Sequence, residues 1–592
     1  MNLYNKRNNK RIVSWVWLLA GYLLIMFPTL AYAQNIPSNP KVVKSPLLAQ
    51  PGKPGGQLTD SSTRRPKTLN PMLEFNELLQ LLNSTLLEIN PITMEYEPAL
   101  AESYEISADR KELKLIIRQV RFSDGVPFTA DDVLFTFNDV LLNPDLQPAL
   151  QSAGLFLIPP PGMSIEKRSE RIVLLKLQQG GVVNSNALLF LLAQVKMLPK
   201  HKLGSKVQRG NPNLFINAWG LTADPSEFAS LGPFKLLEVK TDRITLAKNT
   251  HYWKIDEKGT QLPYIEKFTR IFVATVDEAL ARFQSGELDL LSVRPTEAVV
   301  LDKFALVVDG PTLSVNFLAF NQDITDSDLR GLFRDMRFRR AVAHAIDRLT
   351  VLSHAGNQTP FLIARESFVH PLSPYFNEQA TLKYAFNLTK AAELLDQIGI
   401  RDRNNDGIRD FPSGKTVQFE LITNQDNAIR VSFAQQLAAN LAAIGIKVNY
   451  KAVPFSELSN RVNLQTRQAR YEAMIISFTS EASLADVSYL FAIFHSQGPF
   501  HVYRFSDATS DTLPATQRRI DEIFSRTMGV QASSEESKKL LEELQRLLSD
   551  DLPLIPLYSA RVVIAIKKDI RNAQVINVLG PTPFLELIWR GS

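Results

Sequence analysis

Apolar positions recur at two spacings along the chain from about residue 55. In Glu112-Leu-Lys-Leu-Ile-Ile-Arg118, Leu113, Leu115 and Ile117 return at every second position, the pattern of a half-buried strand. Val120 and Phe122 continue in the opposite phase, which predicts a bulge. Ser123-Asp124-Gly125 reads as a turn, and Thr129-Ala-Asp-Asp132 has capping-box spacing for a helix through Val133, Phe135 and Phe137. Later, Ala434, Leu437, Leu441 and Ile444 lie on one helical stripe, with Gly445 placed to end the helix in a left-handed conformation. Ile446, Val448 and Tyr450 then alternate as a strand. Ala391, Leu394, Leu395 and Ile398 before Gly399 repeat the helix–glycine arrangement. Helices and strands interleaved in this way predict a mixed α/β protein.

The N-terminus is patterned differently. Lys6, Arg7, Lys10 and Arg11 precede an uncharged apolar run from Ile12 to Leu30, which ends in Ala31-Tyr32-Ala33 before Gln34. This is the order of a secretory signal peptide cleaved after Ala33. The alternative is an uncleaved anchor, since residues 12–33 are long enough to span a bilayer. These four cations account for all but one unit of the net charge of +5, so the remainder is nearly neutral. That distribution argues against a nucleic-acid face. Proline and small polar residues from Gln34 to Gly56 predict a flexible or extended linker.

At 592 residues the chain exceeds one compact core, and its length suggests two to four domains. It contains no cysteine, which excludes disulfides, a thiol nucleophile, a Cys-ligated zinc site and a lipoprotein anchor. Nucleophile-elbow, zincin and dinucleotide-binding patterns are all missing. Ser413-Gly414-Lys415-Thr416 imitates the end of a phosphate-binding loop, but Arg409 stands where its first glycine belongs, so a β-turn is expected. None of the seven histidines has a partner at metal-ligand spacing. Asp402 to Asp410 matches the first part of a calcium loop, yet Ser413 occupies the position of the bidentate glutamate. An Asx-rich turn is expected there. These readings leave no catalytic residue, no metal and no cofactor.

Three blocks carry a resemblance. Pro98-Ala-Leu-Ala-Glu-Ser-Tyr-Glu-Ile-Ser107 leads into Val120-Arg-Phe-Ser-Asp-Gly-Val-Pro-Phe-Thr-Ala-Asp-Asp-Val133. Leu231-Gly-Pro-Phe234, Lys248-Asn249, Tyr252-Trp253, Leu262-Pro-Tyr-Ile265 and Gly286-Glu-Leu-Asp289 form the second. Phe338-Arg-Arg-Ala-Val-Ala-His-Ala-Ile-Asp347 and Ile444-Gly-Ile-Lys-Val448 form the third. In this order, over residues 55–590, they resemble family 5 extracytoplasmic solute-binding proteins, the oligopeptide-, dipeptide- and nickel-binding class.

The resemblance implies a bilobal periplasmic-binding-protein fold of α/β class with an extra inserted domain, closing about a hinge. The implied division is a signal peptide at 1–33, a linker at 34–54, and lobe I at 55–84, 216–305 and 559–592. An inserted domain takes 85–215 and lobe II takes 306–558. It further implies a monomer that delivers a peptide to the permease subunits of an ABC importer, with no nucleic acid and no enzymatic step. A nickel chelate or oligosaccharide as ligand, a sensor for a membrane receptor, and a secreted hydrolase are the alternatives. Relatives line the cleft where this chain has Glu74, Phe75, Asn76 and Tyr558. Their amine-anchoring stretch corresponds to Ile476–Asp486, where Phe478 replaces a tryptophan and Glu481 or Asp486 supplies the acid.

Overall fold

The computed structural model describes residues 39–43, 51–74, 76–90, 95–152, 162–177, 186–293, 301, 305–310, 314–355, 362–371, 373, 375–463, 467–477, 488–509, 513–529, 534–573 and 585–591. The predicted alternation at Glu112–Ile117 is a strand with Leu113, Leu115 and Ile117 fully buried. It does not continue through a bulge. Phe122 N–H donates to Val126 O at 2.8 Å and Gly125 adopts φ +88°, so the chain leaves the sheet in a turn that still buries Val120 and Phe122. Thr129 caps the helix Ala130–Leu134, and Asp132 reaches back to the Thr129 amide at 2.9 Å. The Ala434 stripe lies on the helix Ala428–Ala442, which ends before Ile444, with Gly445 at φ +82°. Lys415 O accepts from Phe411 N–H at 2.8 Å, closing the turn expected at Ser413–Thr416.

The first lobe is built on a four-stranded sheet in the order Gln57–Ser62, Lys267–Phe272, Arg243–Lys248, Phe234–Val239; its first pair is parallel and the rest antiparallel. A three-stranded sheet places Val562–Ile566 antiparallel between Leu290–Val293 and Leu306–Gly310. Asp289 ties the two sheets together, its amide donating to Thr59 O at 2.7 Å and its carboxylate accepting from Thr59 N–H at 2.8 Å. Between these segments the chain inserts a four-stranded antiparallel sheet, ordered Ala101–Ile106, Glu112–Ile117, Ile172–Leu177, Met163–Ser169, with a small hairpin of Leu87–Ile89 and Tyr96–Pro98. Within the stretch read as a linker, Lys41–Val43 is extended and pairs in parallel with Lys254–Asp256.

The second lobe has a six-stranded sheet ordered Leu362–Ala364, Leu554–Ala560, Asn316–Phe320, Ala473–Ser477, Gln418–Asn424, Lys447–Val453. Its last three strands are mutually parallel and its first four antiparallel. Alternate residues serve two cores. Phe317, Ala319, Met474 and Ile476 belong to one apolar cluster, and Leu318, Phe320, Ala473 and Ile475 to another. Covering on both faces explains why Asn316–Phe320 is buried along its whole length.

Among the described residues the chain passes between these sheets at two neighbouring places. One lies between Leu306–Gly310 and Asn316–Phe320, the other at Arg561, between Leu554–Ala560 and Val562–Ile566. On each side of the passage the two segments pair antiparallel, Leu306–Gly310 with Val562–Ile566 and Asn316–Phe320 with Leu554–Ala560. A two-strand ribbon of this kind can bend without breaking either sheet, as a hinge requires.

Candidate functional site

The hinge-facing end of the second-lobe sheet carries a row of residues across five strands: Ala364 opposite Tyr558, Tyr558 opposite Asn316, Asn316 opposite Ser477, with Asn424 one strand further. Here the parallel strands Gln418–Asn424 and Ala473–Ser477 reach their carboxyl ends, the usual position of a ligand crevice in an open α/β sheet. Asn427 caps the helix Ala428–Ala442, its side chain accepting from Arg430 N–H at 3.0 Å. The first turn of this helix therefore aims Arg430 back over the strand ends.

Arg430 gathers the row. Its Nε donates to Asn316 Oδ1 at 2.8 Å, one Nη to Asn424 Oδ1 at 2.8 Å and the other to Ser477 Oγ at 2.5 Å. Arg430 is 8% exposed and Asn316 and Asn424 are comparably buried. Asn316 also donates to Tyr558 O at 3.4 Å. Tyr558 is buried, stacks on Phe433 at a centroid separation of 5.2 Å, and donates from its hydroxyl to Asn427 Oδ1 at 3.4 Å. Burial pushes the Tyr558 phenol up to about 12 and the Arg430 guanidinium down from its ordinary value. Beside the row, Arg365 donates its amide to Leu557 O at 2.9 Å and its guanidinium to Val369 O at 2.9 Å. His370 is pushed down to about 4 by burial and by the positive charges of Arg365 and Arg561.

Of the residues anticipated from the sequence, Tyr558 lies in this row, joined through Arg430 to Ser477, the residue before Phe478. Phe75, Phe478, Glu481 and Asp486 lie outside the described residues. Glu74 is buried and closes its own loop, one oxygen accepting from the amides of Lys67 at 2.7 Å and Thr68 at 3.2 Å, the other 3.8 Å from Arg64. Asn76 caps Glu77–Leu82 by accepting from Leu78 N–H at 2.9 Å. Arg430, Asn316 and Asn424 were missed by the sequence reading. One signal was available: an arginine in the first turn of a helix opposes the helix dipole, so another interaction must hold it there.

The Asp402 carboxylate accepts from the amides of Asn404, Asn405 and Gly407 at 3.3, 2.7 and 2.9 Å, which accounts for the turn. Among the described residues no three histidine, aspartate or glutamate side chains are grouped to hold a metal ion.

Two α/β lobes, joined by a two-strand hinge and presenting a polar wall at the hinge end of one sheet, define a two-lobed binding protein. The chain belongs to the bacterial extracellular solute-binding proteins of family 5, whose middle region it matches over residues 95–500. The oligopeptide-binding protein AppA of Bacillus subtilis is 27% identical over 554 residues, 90% of this chain and 92% of the relative. Its structure in complex with a nonapeptide matches with a TM-score of 0.69 at 23% identity, covering 91% of this chain and 100% of that one. The periplasmic binding protein MelB of Agrobacterium fabrum, solved in complex with stachyose, gives 0.72 at 21% identity, covering 94% and 88%. Both structures share the fold.

Proposed function

We propose that this protein captures peptides in the cleft between its lobes and delivers them to the permease of an ABC importer, binding without turnover. The observation that carries this reading is the hinge of two adjacent strands, with the Asn316–Ser477 row at its mouth. The kinship with an oligopeptide-binding protein supports a peptide as the ligand. The leader at residues 1–33 fits export to the periplasm and removal after Ala33. In this reading Glu481 meets the peptide α-amino group. Glu481→Gln then weakens free-amine peptides about ten- to hundredfold, as loss of a charge-assisted hydrogen bond in a closed cleft should, and spares N-acetylated ones.

The likeness to MelB, solved in complex with stachyose, makes an oligosaccharide the second reading. A thermal-shift panel of mixed peptides, α-galactosides and nickel–histidine separates them. Ligand linkage raises the melting temperature of a protein that binds only when folded. A rise with peptides, recovered unchanged, is the expected outcome; a rise with sugars alone contradicts it.

A further inference from the structure

The helix Asn186–Gln194 carries no charge and is apolar from Ala187 to Ala193. A helix on the surface of a domain shows one apolar stripe, and one that is apolar all round must be covered on more than one face. Leu188, Leu191 and Leu192 form the first buried stripe, at spacings of three and four. Leu189 and Ala193 stand about 100° further round the helix and are buried as well. The covering comes from two domains. The helix packs against the hairpin strands Leu87–Ile89 and Tyr96–Pro98 of the inserted domain, and also against the helix Ala515–Gly529. That second helix lies in the chain between the strands Ala473–Ser477 and Leu554–Ala560, within the second lobe. Leu189 and Ala193 share one apolar cluster with its Ile520, Ile523 and Phe524, and half-buried Phe190 packs against the same cluster. Among the described residues the main chain joins the two lobes at the ribbon alone, so rotation about the ribbon moves one helix relative to the other.

We infer that the helix Asn186–Gln194 of the inserted domain is a clasp that closes on the helix Ala515–Gly529 of the second lobe, so that part of the affinity for any ligand is carried by residues that do not touch it. The inference rests on the closing of the lobes proposed above and not on which ligand they enclose. Apolar surface buried between the helices stabilises the closed arrangement by an amount independent of the ligand. Apparent affinity rises with the fraction of molecules able to close, so the clasp multiplies every affinity by the same factor. This gives the inserted domain a part in capture that the hinge and the polar row do not supply.

Photo-crosslinking of the full-length chain tests the contact, with Phe190 replaced by the photoreactive aromatic benzoylphenylalanine. The probe is whichever of a mixed hexapeptide pool, an α-galactoside or nickel–histidine raises the melting temperature in the panel above, so an error about the ligand class does not reach this test. Irradiation should join position 190 to residues 515–529, identified by mass spectrometry, with a yield several-fold higher at saturating probe. Crosslinks confined to the inserted domain and the first lobe would overturn the clasp. A yield to residues 515–529 that is equal with and without probe would show a fixed contact and overturn it too. Phe190→Ala and Leu189→Ala should each weaken binding about three- to tenfold, by one factor for all ligands that bind. A lowered melting temperature with affinity unchanged would mark the helix as merely structural. A loss for one ligand and not another would place it in the ligand site, and either result contradicts the inference. If neither alanine variant folds, the crosslinking alone decides.

Discussion

Glu88 shows what single side chains contribute to holding the inserted domain in place. Its carboxylate lies 2.8 Å from Lys41 Nζ and 3.0 Å from Lys254 Nζ; Lys254 also meets Glu586 at 3.0 Å, and Lys41 meets Glu97 at 3.1 Å. Burial acts to raise the pKa of Glu88, but the ammonium groups of Lys254 and Lys41 outweigh it and hold the carboxyl at about 2. A glutamate in the unfolded chain titrates near 4.5. The folded value is the lower, so the stabilisation is complete above about pH 4.5 and disappears as pH falls towards 2. Glu88→Gln should cost about 2 kcal/mol at pH 7, allowing for partial exposure, and should flatten the acid limb of the melting curve. Identical acid limbs in both proteins would contradict the assignment. Tyr558 illustrates a packing contribution. Tyr558→Phe removes one long hydrogen bond and should cost less than about 1 kcal/mol, whereas Tyr558→Ala opens a cavity beside Phe433 and should cost about 3–5 kcal/mol in chemical denaturation.

Individual elements rest on local devices that are more readily seen in a sequence. The Thr129–Asp132 box starts the helix Ala130–Leu134, and Asp132 also accepts from Lys200 N–H at 2.9 Å, pinning a second helix start. Thr129→Ala should destabilise by about 1 kcal/mol, measured by urea unfolding. The Asp402 turn satisfies its own amides, so a chelator should leave the melting temperature unchanged; a drop reversed by calcium alone would contradict this. Both devices were legible because each joins residues within a few positions. So was the period-two burial of Leu113, Leu115 and Ile117. The strand end at Ile117 was not, because Val120 and Phe122 are buried by a turn packed under other segments and not by a sheet. Nor was the Arg430 site. Asn316, Asn424 and Ser477 are far apart in sequence and meet only once the sheet order is set, and each is an ordinary polar residue with no motif. Tyr558 was singled out through family likeness, which gave its neighbourhood but not its burial against Phe433.

At the scale of the whole molecule, the lobe that carries the inserted domain is linked to the second lobe by a ribbon of two strands, and the polar row stands where that ribbon enters the second lobe. Capture by closure follows from this layout: a ligand that contacts both lobes stabilises the closed arrangement by its differential affinity for it. The absence of cysteine makes the motion directly measurable, because two introduced thiols label without background. Lys258 in the first lobe and Lys447 on the outer strand of the second are both exposed. Single-molecule energy transfer between dyes at Lys258→Cys and Lys447→Cys should show one population that shifts to another with saturable dependence on peptide concentration, with the peptide recovered intact by mass spectrometry. A transfer efficiency unmoved by saturating peptide, or peptide recovered as fragments, would contradict a closing, non-catalytic binding protein.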